Sequence, residues 1–171
     1  MLANLIVTYD PTHPGKAKTE AQALIEDVHE KPQFLDSEVE GIFLIYVKEP
    51  KITVKRLLDL CREDPERFEH TFKWMPVDKW YDSNIDDMSD AIQQLEPHIG
   101  NDEKWKLDLT KRKYEKYSTT DLIAALTEGI NKPKVDLKNP DKIIKVDIIG
   151  EKAAISLLNA DEYLDVQKVK K

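Results

Sequence analysis

The chain contains little cysteine, little glycine and no long apolar run. Its 171 residues include one cysteine, Cys61, so an internal disulfide framework is excluded and a reducing compartment is expected. No stretch approaches the roughly 18 apolar residues of a membrane span, and the apolar N-terminus lacks the basic region of a signal peptide. We therefore expect a soluble, cytoplasmic protein with no membrane partner.

Recognisable motifs for nucleotides, metals or nucleophilic catalysis are also lacking. With only five glycines, the chain has neither a Gly-Lys-Ser/Thr phosphate loop nor a Gly-x-Gly-x-x-Gly turn. The histidines are scattered, without the short spacings that place two ligands on one metal. Cys61 falls on the apolar stripe of a predicted helix, which indicates a small core residue rather than a reactive thiol. We predict no cofactor, no metal and no catalytic residue.

Acidic and basic residues are distributed unevenly along the chain. The overall count of 26 basic and 33 acidic residues gives a formal charge of -7, which opposes binding of a polyanion at long range. Residues 101–171 nevertheless carry 15 basic against 13 acidic residues, while the first hundred carry 11 against 20. Residues 104–116 contain six basic and two acidic residues. This local excess is the pattern expected of a phosphate-binding surface, although a charge run is more often a solvated face.

The first 75 residues alternate between strand and helix patterns. Apolar runs predict strands at residues 5–7 and 41–47, the second of them central and buried on both faces. Helical spacing of apolar residues predicts helices within residues 17–28 and 54–61. Alternation over residues 68–74 predicts a half-exposed strand. The series resembles a ferredoxin-like unit, which we place at residues 1–75.

Residues 76–160 form a second predicted domain, again of mixed α/β type. Apolar residues at helical spacing predict a helix from residue 85 to residue 99, and alternation from Trp105 predicts a strand that ends in Lys111, Arg112 and Lys113. Ser118, with Asp121 three residues later, predicts the start of a second helix.

A turn and two strands complete this domain. Residues 135–141 (Val-Asp-Leu-Lys-Asn-Pro-Asp) predict a structural turn whose flanking aliphatic side chains enter the sheet. Strands are predicted at residues 143–149 and 153–158 around a turn at residues 150–152. Residues 161–171 are expected to form a charged tail.

The basic loop between the first strand and the second helix of this domain suits RNA. Lysine and arginine neutralise phosphates, and the free amides and dipole of a helix start favour anions. Tyr114 and Tyr117 lie among the cations, where they either stack on unpaired bases or simply cover the domain edge. Lys132 and Lys134, just past the same helix, either extend this patch or are ordinary solvated lysines. The candidate RNA-binding residues are Lys106, Lys111, Arg112, Lys113, Tyr114, Lys116, Ser118, Lys132 and Lys134.

The order of these pieces resembles a THUMP domain over roughly residues 77–158. An aromatic-led strand ending in a Lys-Arg pair, a Ser that starts a helix, the turn at residues 135–141 and a final apolar strand follow the family's pattern. THUMP domains occur in proteins that modify tRNA, so the resemblance implies tRNA binding. In related enzymes the module recognises the acceptor end of tRNA, and Lys111, Arg112, Lys113 and Ser118 occupy the matching positions.

The resemblance also bears on catalysis. Many THUMP proteins continue into a methyltransferase, thiouridine synthase or pseudouridine synthase domain, whereas this sequence ends soon after the module. It is similar to the adaptor family required for N4-acetylcytidine formation in tRNA processing. The resemblance implies a non-catalytic protein that binds tRNA and works with a separate RNA acetyltransferase or other tRNA-modifying enzyme. DNA is not an expected partner. Two alternatives remain: an RNA-binding subunit of a split thiouridine synthase or methyltransferase, and an enzyme whose site is built from Asp and Glu.

Overall fold

The computed structural model describes residues 2–171 as two sheets with helices packed on them. The chain divides into two compact units, one of residues up to Val77 together with Asp161–Lys171, the other of Asp78–Ala160. The strands are β1 (Leu5–Tyr9), β2 (Gln33–Leu35), β3 (Ile42–Tyr46), β4 (Thr71–Pro76), β5 (Lys79–Asp82), β6 (Trp105–Arg112), β7 (Lys142–Ile149), β8 (Lys152–Asn159) and β9 (Leu164–Asp165). The helices are α1 (Pro14–Asp27), α2 (Pro50–Glu63), α3 (Ile85–Leu95), α4 (Thr119–Thr127) and α5 (Val166–Lys170).

The first unit has the ferredoxin-like arrangement that the sequence predicts. Its sheet has the order β2-β3-β1-β4-β9, so the βαββαβ series produces the ferredoxin-like strand order with one strand added at the edge. Apolar residues of α1 and α2 recur at helical spacing and face the sheet, where they form one core with β1, β3 and β4. Cys61 is fully buried in this core, and burial raises the pKa of its thiol.

The prediction that β3 is a central strand buried on both faces is wrong. β3 lies between β2 and β1, one place from the edge, and Phe43, Leu44 and Tyr46 are only half-buried. The fully buried central strand is β1, which pairs with β3 on one side and β4 on the other. Both strands are short apolar runs, and their order depends on long-range pairing that such runs do not encode.

Residues 161–171, expected as a charged tail, instead belong to the first unit. β9 pairs with β4 through Trp74 and Leu164, and Leu164 and Val166 are fully buried. Lys170 Nζ donates a hydrogen bond to Phe68 O at 2.7 Å. Buried apolar side chains, strand pairing and this hydrogen bond together hold the segment on the sheet.

The second unit is a four-stranded sheet of order β5-β8-β7-β6. β6 and β7 are parallel and are joined by the crossover that contains α4, whereas β7 and β8 form an antiparallel hairpin. α3 and α4 contribute Met88, Ile92, Leu122 and Leu126 to the core on one face of the sheet. Leu107 of β6 belongs to the same core, as the alternation from Trp105 predicts.

The turn at residues 135–141 forms as predicted, but its aliphatic side chains do not enter the sheet. Val135 makes only an isolated bridge to Trp105, and the side chains of Val135 and Leu137 are 58% and 69% exposed. The Asp136 carboxylate holds the segment instead, because its Oδ1 accepts from the backbone amides of Lys138 and Asn139 at 3.0 and 2.9 Å. These bonds, that of Asn139 first, lower the pKa of Asp136.

Candidate nucleic-acid interface

The most basic stretch of the sequence lies where β6 ends and α4 begins. We call residues 113–118 the β6–α4 loop. At its start, Gly150 N donates to Arg112 O at 2.8 Å, and Lys113 has a left-handed φ of 53°. At its end, Ser118 Oγ accepts from Asp121 N at 3.1 Å and caps α4. The structure therefore confirms the helix start predicted at Ser118.

One lysine lies beside this loop on β6 and two lie within it. Lys111, half-buried at the end of β6, donates a hydrogen bond from Nζ to Tyr117 O at 2.9 Å. Lys113 and Lys116 are exposed. The Lys116 side chain has no hydrogen-bond or ion-pair partner anywhere in the described chain. The loop thus presents at least one ammonium group with no carboxylate to neutralise it.

The two tyrosines of the loop occupy different environments. Tyr114 is half-buried against the core of the unit, and burial, with a smaller contribution from Tyr117, raises the pKa of its hydroxyl. Its OH and Arg112 Nη1 are enclosed side-chain atoms without a hydrogen-bond partner within residues 2–171. The side chain of Tyr117 is 44% exposed. Of the two roles left open by the sequence, Tyr114 fits edge covering and Tyr117 fits base stacking.

Helix α4 adds backbone donors to the site. The first amides of a helix lack intrahelical partners, and those of Thr119 and Thr120 have no other partner within the described residues. Asp121 N is already occupied by Ser118. Two amides therefore remain at the positive end of the helix dipole, beside the lysines of the loop.

Lys132 and Lys134 do not join this cluster. Lys134 O accepts from Trp105 N at 2.9 Å, and Lys132 O accepts from Trp105 Nε1 at 3.1 Å, so both lysines lie at the start of β6. The eight residues of β6 separate that end from Arg112 by about 23 Å. Both lysines therefore lie at the opposite end of β6 from the loop, because α4 carries the chain back to the beginning of the strand, and their contact with RNA stays a prediction.

These two lysines also have partners of their own. Lys134 Nζ lies 3.7 Å from Asp102 Oδ1, and Lys132 Nζ donates to Asn101 Oδ1 at 3.1 Å. Lys106, half-buried as the second residue of β6, is about 17 Å from Lys111 along the strand. The structure thus gathers Lys111, Arg112, Lys113, Tyr114, Lys116 and Ser118 at one end of the strand and leaves Lys106, Lys132 and Lys134 towards the other.

One cation beside the loop was missed from the sequence. Lys152 begins β8 and pairs with Ile149, which pairs in turn with Arg112. Its ammonium donates to Asp82 Oδ1 at 2.6 Å, a bond that raises its pKa. The sequence predicts a turn at residues 150–152, but the position of Lys152 level with Arg112 also depends on the parallel pairing of β6 and β7, which the sequence does not show.

Outside this region the structure groups two histidines that looked scattered. The rings of His13 and His70, in the first unit, are 5.1 Å apart between centroids. Over residues 2–171, no group of three or more His, Cys, Asp or Glu side chains is placed to hold a metal. No helix in that range has both the length and the apolar character needed to cross a bilayer.

Comparison with known proteins identifies the domain that contains this loop. Residues 82–158 match the THUMP domain model, so a THUMP domain is present, as the sequence resemblance predicted. The uncharacterized protein MJ0421 of Methanocaldococcus jannaschii is 24% identical over 93 residues, covering 53% of this chain and 26% of that protein.

Solved structures support the same fold. PH1313 from Pyrococcus horikoshii Ot3 has a TM-score of 0.60 and 13% identity, covering 96% of this chain and 55% of that one. TrmN from Thermus thermophilus has a TM-score of 0.54 and 14% identity, covering 90% and 44%. At these identities the likeness shows the fold alone. The chain spans about a quarter of the curated relative and about half of these two solved chains.

Proposed function

We propose that this chain, in which residues 82–158 form a THUMP domain, is a non-catalytic adaptor that binds tRNA through the β6–α4 loop and presents it to a separate modification enzyme. The observation that carries the proposal is that Lys113 and Lys116 lie in this loop, directly before the N-terminus of α4 and inside the matched domain. Cations beside free helix-start amides are suited to phosphate oxygens.

Two exposed side chains of the loop are proposed to make different contacts with RNA. Lys116, exposed and without a partner among the described residues, is placed to pair with a phosphate. The exposed ring of Tyr117 supplies a stacking surface that accepts any base, because every base has a π-face. Neither contact reads sequence, so affinity for free tRNA is expected near the ~10⁻⁴ to 10⁻⁶ M of nonspecific binding.

The charge of the protein makes a partner important. The formal charge of -7 opposes long-range attraction of RNA, and a second protein that also holds the tRNA would raise the effective affinity. The N-terminal unit, whose residues 1–77 carry 10 basic against 14 acidic side chains, is the candidate docking unit for that protein. Holding tRNA in place lowers the entropic cost of reaching the partner's active site.

We assign the partner's reaction to formation of N4-acetylcytidine. The support is the sequence pattern, in which a ferredoxin-like unit precedes a THUMP domain as in the adaptors of that reaction. The acetyl group then comes from acetyl-CoA bound to the acetyltransferase, and this chain contributes the position of the tRNA.

Reconstitution tests the proposal. Purified tRNA, acetyl-CoA and the acetyltransferase are incubated with the wild-type chain, with a Lys113→Ala/Lys116→Ala variant, or with a Lys132→Ala/Lys134→Ala variant as the matched control. We expect acetylcytidine only when the chain is present, less with the loop variant, and the wild-type amount with the control. Product without the chain, or product from the chain and acetyl-CoA alone, would contradict the adaptor role.

A further inference from the structure

We propose that Lys111 is a positioning residue, which holds the ring of Tyr117 in place for RNA and does not itself pair with a phosphate. This role rests on the proposed function of the β6–α4 loop and distinguishes Lys111, on β6 beside the loop, from the lysines within the loop. The residue is the last but one of β6 and looks, in sequence, like the other cations of the basic run.

The position of Lys111 on β6 directs its side chain towards the start of α4, where the ammonium makes an exposed hydrogen bond. Trp105, Leu107 and Leu109 alternate along the strand on the face covered by helices, and this period places Lys111 on the same face. There its Nζ donates to Tyr117 O at 2.9 Å. The half-buried side chain is therefore already committed to a carbonyl at the start of α4.

This bond links the two ends of the β6–α4 loop. It joins the strand end to the residue that precedes the helix cap, Ser118. Within the loop, Lys113 holds a left-handed φ of 53°, a conformation that costs energy for residues other than glycine and persists only where the surroundings enforce it. Loss of the Lys111 bond would free the loop to relax and would move the backbone from which the Tyr117 ring projects.

Tyr117 is the side chain whose function depends on that backbone. Tyr117 as a whole is 44% exposed, whereas Tyr114 is half-buried against the core. A stacking platform needs a fixed plane as well as exposure, because ordering a mobile ring on binding costs entropy. The bond from Lys111 to Tyr117 O restrains the backbone of Tyr117 and thereby the point from which the ring projects.

Lys116 is the contrasting case in the same loop. It is exposed and has no bonding partner within residues 2–171, so its ammonium is available to a phosphate. A lysine that pairs with a phosphate releases a counterion, and its loss reduces the magnitude of the negative slope of log K against log salt by about 0.7 to 0.9. A positioning lysine changes affinity and leaves this slope unchanged.

The experiment measures binding of purified bulk tRNA across a salt series for the wild type and for Lys111→Met, Lys116→Met, Tyr117→Ala and the Lys111→Met/Tyr117→Ala double variant. For Lys116→Met we expect a slope less negative than that of the wild type by about 0.7 to 0.9. For Lys111→Met we expect the wild-type slope with affinity reduced about fivefold or more, as for Tyr117→Ala. The double variant should bind no more weakly than Tyr117→Ala, because both changes remove one stacking contact.

Circular dichroism melting curves establish that each variant is folded. A slope reduced by one contact in Lys111→Met would overturn the positioning role, as would losses that add in the double variant. Salt-dependent wild-type binding that weakens in Lys116→Met supports the proposed function whatever Lys111 does. Absence of wild-type binding would overturn the proposed function, and the role of Lys111 with it.

Discussion

Replacing Lys145 with methionine is expected to destabilise the protein by about 3 to 5 kcal/mol. Lys145 and Asp147, on β7, are 2% and 1% exposed, and their side chains are joined by a 2.9 Å bond from Nζ to Oδ1. Asp108 Oδ1 lies 3.9 Å from the same ammonium, and Thr110 donates to Asp147. Methionine keeps most of the volume, so the loss comes from leaving two carboxylates without their counter-charge rather than from a cavity.

Urea denaturation followed by circular dichroism measures this effect. With a slope of about 1 to 3 kcal/mol per M for small proteins, the midpoint should fall by at least about 1 M. Lys152→Met is the matched control, because its 2.6 Å bond to Asp82 is shorter but lies between side chains 63% and 59% exposed.

The control isolates burial as the cause. Exposed ion pairs contribute little, since water screens them, so Lys152→Met should leave the midpoint almost unchanged. Equal shifts for Lys145→Met and Lys152→Met, or a shift below about 0.3 M for Lys145→Met, would refute the reasoning that burial and the unpaired carboxylates set the magnitude.

Three further changes test other parts of the structure. Ser118→Ala removes the bond to Asp121 N and should cost about 0.5 to 2 kcal/mol in a urea titration; no loss would mean that the cap does not support α4. A hydrogen bond from Gly100 N, with smaller effects of Lys142, lowers the pKa of Glu103. At pH values above the ordinary pKa of glutamate, the wild type should therefore be more stable than Glu103→Gln. This difference in stability should vanish as the pH falls through the lowered pKa. Urea midpoints at neutral and acidic pH check this, and a gap that widens in acid would contradict it. Leu137→Ser should stay within about 0.5 kcal/mol of wild type in thermal melts, because the side chain is 69% exposed; a larger loss would mean that Leu137 contributes to packing.

Local features of the site could be predicted from the sequence. The alternation that begins at Trp105 depends only on the two-residue period of a strand, and the start of α4 at Ser118 depends on a side chain three residues from its partner amide. Both signals act within a few residues, so one sequence is enough to recognise them. The split between Tyr114 and Tyr117 could not be predicted, because burial there depends on packing against the core of the unit.

The position of Lys132 and Lys134 at the start of β6 follows from the parallel pairing of β6 and β7. Two parallel strands joined by a helix require the chain to return to the start of the first strand. α4 therefore has to deliver both lysines to Trp105, away from Arg112.

Strand order was not accessible in the same way. The prediction of β3 as the central strand failed because β1 and β3 have similar apolar patterns, and only pairing with β4 gives β1 the central place. The β9 pairing likewise depends on Leu164 and Val166, two apolar residues that a charged composition conceals.

Binding of purified tRNA across a salt series tests the central claim most directly. The wild type is compared with Lys113→Ala/Lys116→Ala, and with Lys132→Ala/Lys134→Ala as the control from the other end of β6. The account predicts wild-type binding that weakens with salt, a clear loss in the folded loop variant, and little change in the control. Equal binding by the two folded variants, or no binding of tRNA by the wild type, would contradict it.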